Sequence, residues 1–190
     1  MQRSQPAAQS ASSTQAAQGE TAHGETTPVA PGLDYRAIDH IALAVVDLEA
    51  AVQLFTHVLG FRLMARRHIQ GRKTGMRSAE LESGGGLKFV LCQGTEPESQ
   101  VSRLVSEFGP GVAHIALEVD DVAQTVDELR RRGMGFDTSV IEGPGLTQSF
   151  TSRDRNTGLS FEIIKRNGEH GFVDDNIQSL FDQLEKSDAY

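Results

Sequence analysis

The feature that most constrains the fold of this 190-residue chain is an internal repeat. Residues 39–45 read Asp-His-Ile-Ala-Leu-Ala-Val and residues 113–119 read Ala-His-Ile-Ala-Leu-Glu-Val, which places His40 and His114 at equivalent positions. In both runs the side chains alternate with a period of two and include β-branched residues, which is typical of a half-buried strand. The chain is therefore predicted to contain two similar modules that pack together.

Each predicted strand leads into a predicted helix. Asp47 and Asp121 follow the two strands, and apolar residues then recur at steps of three and four. An Asp at this place can accept a backbone N–H at the start of a helix, where the first N–H groups have no partner within the helix. Gly60 and Gly135 are predicted to end the two helices, because glycine readily adopts the left-handed conformation common just past a helix end.

The last strand of each unit is marked by a glycine that precedes an apolar run, at residues 86–91 and 158–163. Aligning these two runs places Glu162 opposite Val90. Each unit then has the order β-α-β-β-β, and the fold class is predicted to be α+β. The predicted modules cover residues 37–93 and 111–166, with a connecting helix over residues 98–108.

The two ends of the chain differ from the modules. Residues 1–33 are rich in Gln, Ser, Ala, Thr and Gly with almost no large apolar side chains, so they are predicted to form a disordered tail that cannot offset the entropy cost of ordering. Residues 34–190 are predicted to form the folded domain. Within it, residues 174–186 carry apolar side chains at steps of three and four, which is typical of an amphipathic helix. These apolar residues are Ile177, Leu180, Phe181 and Leu184.

The composition argues against several classes of partner. A formal net charge of -8 and a pI near 5.2 disfavour a nucleic-acid surface, which needs clustered Lys and Arg. The short basic run at residues 66–68 is predicted to be solvated. No apolar run reaches the ~18 residues that span a bilayer, so no membrane partner is expected. Cys92 is the only cysteine, which excludes an intrachain disulfide and favours a cytoplasmic location.

The tandem β-α-β-β-β pattern resembles the vicinal oxygen chelate superfamily of glyoxalases, bleomycin resistance proteins and dioxygenases. That resemblance implies that the strands of each module curl into half of an open barrel, with metal ligands on the first and last strands. The four ligand positions would be His40, Val90, His114 and Glu162, of which Val90 cannot coordinate a metal. Two imidazoles and one carboxylate are the ligand set of non-haem Fe(II) oxygenases, so Fe(II) is the expected cofactor. A histidine on a strand can also be satisfied by hydrogen bonds alone, but two at equivalent positions favour the metal.

Several segments resemble the C-terminal domain of the 4-hydroxyphenylpyruvate dioxygenase family more closely. They are residues 111–117, 160–166, 171–172 and 176–181, together with 74–78. The resemblance implies that Gln148 and Ser78 orient the substrate and that residues 174–186 form a helix that closes the pocket. Substrate-binding positions would be occupied by Gln100, Phe172, Cys92 and Ile177. Cys92 and Ile177 stand where the family has Asn and an aromatic residue, and Ala113 stands where it has Gln.

The resemblance implies an Fe(II)-dependent dioxygenase that acts on an α-keto acid or a similar chelating small molecule, with O₂ as the second substrate. One alternative is a metal-dependent epimerase, isomerase or lyase of the same superfamily, which would need no O₂. Another is a metal-free resistance protein that binds a small molecule. A homodimer is a possible oligomer of this chain.

Overall fold

The computed structural model describes residues 33–143, 145–168, 178 and 183. The elements in chain order are β1 (Ala37–Ala44), α1 (Leu48–Gln53), a π-helical turn (Leu54–Val58), β2 (Arg62–Gln70), β3 (Gly75–Glu82), β4 (Lys88–Gly94), α2 (Gln100–Phe108), β5 (Gly111–Glu118), α3 (Val122–Arg131), β6 (Ile141–Gly143), β7 (Leu146–Phe150) and β8 (Phe161–Arg166).

The strands form one eight-stranded mixed sheet in the order β2-β3-β4-β1-β5-β8-β7-β6, which curls into an open half-barrel. The two modules meet at the centre, where β1 and β5 pair in antiparallel fashion. Within each module the first strand pairs in parallel with the last, β1 with β4 and β5 with β8. The predicted α+β fold of two tandem modules is confirmed. Strands β2 and β6 form the two edges of the sheet.

The strand register confirms the predicted equivalence of Val90 and Glu162. Val90 lies opposite Ala42 in the pairing of β1 with β4, and Glu162 lies opposite Ala116 in the pairing of β5 with β8. Ala42 and Ala116 occupy the same place in the two copies of the repeat, two residues after His40 and His114. The two modules therefore match residue by residue at the positions that matter for a metal.

Helices α1 and α3 cover the outer face of the sheet, one in each module. The side chains of Asp47 and Asp121 accept hydrogen bonds from the backbone N–H groups of Ala50 and Gln124, as predicted for helix N-caps. Each helix buries an apolar face, in line with its three- and four-residue spacing. The resulting cores contain Leu48, Val52, Leu81 and Leu91 in the first module and Val122, Val126, Leu129 and Ile163 in the second.

The end of α3 differs from the prediction. Gly60 has a φ of 76° just beyond the π-helical turn, as expected, but the left-handed residue after α3 is Gly133, with a φ of 93°, rather than Gly135. The reason is that α3 stops at Arg131, so the glycine nearest to the helix end takes the left-handed conformation. Gly135 serves close packing instead, because a Cβ placed there would lie 2.9 Å from Oγ of Ser152.

The two terminal segments are described only in part. Leu33, which the sequence interpretation placed in the tail, packs against the core of the second module, whereas residues 1–32 lie outside the described residues. Of the segment 174–186, only Gln178 and Gln183 are described, and both are helical. Gln178 donates a hydrogen bond to the carbonyl of Gln70 at the end of β2, and Gln183 accepts one from Ser139 just before β6. These two residues thus contact opposite edges of the sheet.

Candidate metal centre

Three neighbouring central strands bring the predicted ligands together: His40 lies on β1, His114 on β5 and Glu162 on β8. Nε2 of His40 lies 3.2 Å from Oε2 of Glu162, Nε2 of His114 lies 3.4 Å from the same oxygen, and the two Nε2 atoms are 3.4 Å apart. Strand alternation directs all three side chains to the concave face of the sheet. His40 and Glu162 are almost completely buried, with 2% and 1% of their surfaces exposed.

The spacing of these three atoms fits a divalent metal ion. Ligand atoms at about 2.1 Å from an ion lie about 3.0 Å apart at right angles and about 3.4 Å apart at tetrahedral angles, and the observed separations fall in this interval. The other carboxylate oxygen of Glu162, Oε1, is buried and has no hydrogen-bond partner within the described part of the chain. A buried carboxylate oxygen without a partner is costly, and an ion at this place would offset that cost.

The charges at this centre are strongly coupled. Burial disfavours the charged form of His40, yet the carboxylates of Glu162 and Asp39 raise its pKa to about 9. Burial likewise opposes ionisation of Glu162, but His40 and His114 hold the pKa of this carboxyl at about 2. Burial lowers the pKa of His114, so its imidazole is neutral. Without an ion, His40 thus carries a proton beside a carboxylate, and a metal ion would replace that proton.

Two charged residues, Asp39 and Arg166, hold the His40 ring on the side that faces away from the centre. Nδ1 of His40 lies 2.8 Å from Oδ1 of Asp39, so Nε2 is the nitrogen that faces the centre. Asp39 in turn accepts two hydrogen bonds from Arg166, at 2.5 Å from Nε and 2.7 Å from Nη2. Because β8 carries both Glu162 and Arg166, this strand fixes one ligand directly and a second ligand through Asp39.

Two adjoining cavities open beside His40. The inner cavity, of about 70 Å³, is bounded by all three candidate ligands and by Met76, Ser78, Glu80, Val90, Cys92, Gln148 and Phe150. The outer cavity, of about 490 Å³, shares His40, Glu80 and Val90 with the inner one and extends past Met64, Arg67, Lys88 and Arg166. The two cavities thus adjoin at these three shared residues, and the outer cavity is both larger and more polar.

Three of the predicted substrate-site residues line the inner cavity. Ser78 and Cys92 face each other as paired positions on β3 and β4, and Gln148 is buried on β7. The predicted face that Gln148 shares with Leu146 and Phe150 is confirmed, since these three residues alternate along β7, and Gln148 and Phe150 both line the inner cavity. Phe150 stacks edge-on against His114 with ring centroids 5.1 Å apart. The roles of Ser78, Cys92 and Gln148 towards a substrate stay predictions.

Of the remaining predicted substrate residues, the structure describes Gln100. Gln100 is buried at the start of α2 and lines neither cavity, and its Nε2 has no hydrogen-bond partner among the described residues. Its contact with a substrate stays a prediction. Phe172 and Ile177 lie outside the described residues.

The sequence interpretation missed an ion pair inside the cavities. Arg67 was predicted to be solvated, but it is half-buried and donates a hydrogen bond to Glu80, which lines both cavities. That prediction was wrong because β2 pairs with β3 so that Arg67 lies beside Ser78, on the concave face. A signal was available: the two-residue period that directs Ser78 inward also directs Glu80 inward.

Known proteins resemble this chain in both sequence and fold. A profile of the Glyoxalase/Bleomycin resistance protein/Dioxygenase superfamily matches residues 37–163. The 4-hydroxyphenylpyruvate dioxygenase of Pseudomonas aeruginosa is 30% identical over 192 residues, which cover 82% of this chain and 53% of that protein. The chain therefore spans about half the length of this curated relative.

Solved structures show the same fold at lower sequence identity. A mutant of 4-hydroxymandelate synthase from Streptomyces coelicolor superposes with a TM-score of 0.72 at 23% identity, covering 81% of this chain and 55% of that one. A variant of methylmalonyl-CoA epimerase from the same organism superposes with a TM-score of 0.60 at 24% identity, covering 71% of this chain and 100% of the epimerase. Among the described residues, no helix has the length and apolar character needed to cross a membrane.

Proposed function

Because this chain belongs to the Glyoxalase/Bleomycin resistance protein/Dioxygenase superfamily, we propose that it is an Fe(II)-dependent oxygenase that acts on an α-keto acid or a similar chelating small molecule with O₂. The observation that carries the proposal is the composition of the ligand set. His40, His114 and Glu162 converge within bonding distance of one ion, while the fourth equivalent position holds Val90. Two imidazoles and one carboxylate leave open positions on an iron ion for a chelating substrate and O₂.

The bound Fe(II) would supply the redox chemistry and the coordination positions, and the chain supplies geometry and exclusion of water. His40 is fixed in one tautomer by Asp39, which keeps Nε2 directed at the ion. Glu162 would provide the one negative charge of the ligand set, so the site would keep a net positive charge with Fe(II) bound, which would favour the carboxylate of an α-keto acid.

The walls of the inner cavity would hold the organic part of the substrate. Val90, Cys92, Met76 and Phe150 present mainly apolar surface that keeps water away from the ion. Ser78 and Gln148 offer a hydroxyl and an amide at equivalent positions of the two modules, where they would orient the substrate by hydrogen bonds. This division suits a reaction in which the protein positions and shields a reactive centre.

Oxygen consumption tests the proposal most sharply. Protein loaded with Fe(II) under anaerobic conditions should consume O₂ and release CO₂ in equal amounts when it is given one member of a panel of aryl and alkyl α-keto acids. The matched Glu162→Ala variant should show neither response, because its ligand set is incomplete.

The competing functions give different results in the same assay. An epimerase, isomerase or lyase would exchange a substrate proton with deuterated water, or convert its substrate, without using O₂. A metal-free binding protein would hold a small molecule equally well in wild-type and Glu162→Ala protein. Either result would contradict the proposed oxygenase.

A further inference from the structure

Around the centre, the first module has an apolar residue where the second has an acidic one, and an acidic residue where the second has an apolar one. In the second module, Glu162 on β8 pairs with Phe150 on the neighbouring β7. In the first module, Val90 on β4 pairs with Glu80 on the neighbouring β3. Since Val90 and Glu162 are equivalent, Glu80 occupies the position of Phe150. The carboxylate absent from the fourth ligand position thus stands one strand away.

Glu80 is too far from the centre to complete it as a ligand. The set of side chains that could share one ion among the described residues comprises His40, His114 and Glu162 only. Glu80 nevertheless lines the inner and the outer cavity, so a molecule that extends from the ion past Val90 would meet it. Its side chain is 14% exposed and that of Arg67 is 17% exposed, so both charges are largely withdrawn from solvent.

A gain in folding stability does not account well for the ion pair of Arg67 and Glu80. Two charges that are withdrawn from water lose favourable hydration free energy, and their mutual attraction barely offsets that loss. A protein with apolar residues in their place is often at least as stable. The same strand carries an ordinary surface pair for comparison: Arg66 binds Glu49 on the outer face at 2.6 and 2.8 Å, with both side chains well exposed. The inner pair is therefore the one that needs a functional explanation.

We propose that Glu80, held in place by Arg67, accepts a hydrogen bond from a neutral donor on the substrate, such as a hydroxyl or an amide N–H. The inference rests on the proposed function and specifies the substrate class for that site. A carboxylate accepts about four hydrogen bonds, and the bond from Arg67 engages Oε1, so capacity for a substrate donor remains.

The charge balance selects a neutral donor. The charge of Glu80 is already matched by Arg67, and that of Arg166 by Asp39. A substrate group with its own charge at this place would bring an unmatched charge into a largely buried space, which is costly. A neutral hydroxyl or amide adds a hydrogen bond to a charged acceptor without that cost.

Matched pairs of α-keto acids test the inference by binding alone. The probes are 4-hydroxyphenylpyruvate with phenylpyruvate, and 5-hydroxy-2-oxopentanoate with 2-oxopentanoate, so each pair differs by one hydroxyl and the two pairs reach different distances. Calorimetric titration of Fe(II)-loaded protein without O₂ should show about tenfold tighter binding of the hydroxylated member of at least one pair, as expected for a hydrogen bond to a charged group.

Variants of Glu80 test whether this residue causes the preference for the hydroxylated acid. Glu80→Val should abolish it, and Glu80→Gln, whose amide oxygen still accepts a hydrogen bond, should retain part of it. Glu49→Gln, which removes the outer ion pair of the same strand, should leave it unchanged. Equal binding of both members of each pair by wild-type protein, or a preference that persists in a folded, iron-loaded Glu80→Val variant, would overturn the inference alone. Failure of all four acids to bind iron-loaded wild-type protein would overturn the proposed function and the inference with it.

Discussion

At the scale of single residues, the centre depends on how His40 is held. Its ring is clamped between Glu162 at Nε2 and Asp39 at Nδ1, and Asp39 is fixed by two hydrogen bonds from Arg166. A carboxylate behind a ligand histidine fixes the ring orientation and raises the basicity of the coordinating nitrogen. Asp39 is therefore predicted to position His40 for a metal ion.

Asp39→Asn should weaken Fe(II) binding by about 10- to 100-fold, because an amide neither fixes the tautomer of His40 nor matches the charge of Arg166. Competition with a chelator of known affinity measures the change. Asp120→Asn is the matched control, since Asp120 pairs with Arg36 on the surface. Unchanged iron affinity in a folded Asp39→Asn variant would remove the positioning role.

Cys92 should be nearly inert towards alkylation. Burial raises the pKa of its thiol to about 12, so at pH 8 the reactive thiolate is far rarer than in a thiol of ordinary pKa. Iodoacetamide labelling at pH 8 should be slow in the folded protein and fast in denaturant, and it should accelerate as the pH rises towards 12. Labelling of the folded protein at the rate of an exposed cysteine would contradict the buried position beside the centre.

The residues of the centre differ in how well the sequence predicts them. His40, His114 and Glu162 can be found because the repeat supplies equivalent positions for comparison. Arg166 could not be assigned to Asp39 in this way, because the two are 127 residues apart and only the pairing of the central strands brings them together. Partners that are distant in sequence leave no local period to detect.

At the scale of elements, periodicity and capping explain why the strands and helices stand where they do. The N-caps of α1 and α3 and the equivalence of β4 with β8 follow from local sequence, and the structure confirms them. The end of α3 does not follow so directly, since two glycines two residues apart could each supply the left-handed residue. Which of them does so depends on where the last helical hydrogen bond forms.

Asp121→Ala should lower the free energy of unfolding by about 1 kcal/mol, because the N–H of Gln124 at the start of α3 loses its acceptor. Denaturant titration measures the change, and Asp127→Ala on the exposed side of the same helix serves as the control. Iron content should stay at the wild-type level, because α3 packs on the outer face of the sheet. A loss of iron with unchanged stability would show that α3 acts on the centre.

At the scale of the whole molecule, the curled sheet leaves one side open above the cavities. Gln178 and Gln183 contact the sheet at its two opposite edges, through Gln70 beside β2 and Ser139 beside β6. These contacts agree with the prediction that residues 174–186 close the pocket. The other residues of this segment lie outside the described residues. The predicted homodimer and cytoplasmic location stay predictions.

Truncation after Gly171 should leave iron binding intact while product formation falls relative to O₂ consumption, because water would then reach the reacting centre. The ratio of product to O₂ consumed is the measurement. The double variant Gln178→Ala/Gln183→Ala, which keeps the segment but removes its two described side-chain contacts, should show a smaller loss of coupling. A truncated protein that keeps its iron and the wild-type ratio would assign the segment to packing alone.

The central claim is that His40, His114 and Glu162 together hold one Fe(II) ion. Anaerobic equilibrium dialysis followed by iron analysis tests it most directly, with Val90→Ala as the matched control at the position equivalent to Glu162. Wild-type protein and Val90→Ala should each retain one equivalent of Fe(II) per chain, while His40→Ala, His114→Ala and Glu162→Ala should each lose nearly all of it, because two remaining ligands hold an ion too weakly. Full iron occupancy in Glu162→Ala would contradict the claim.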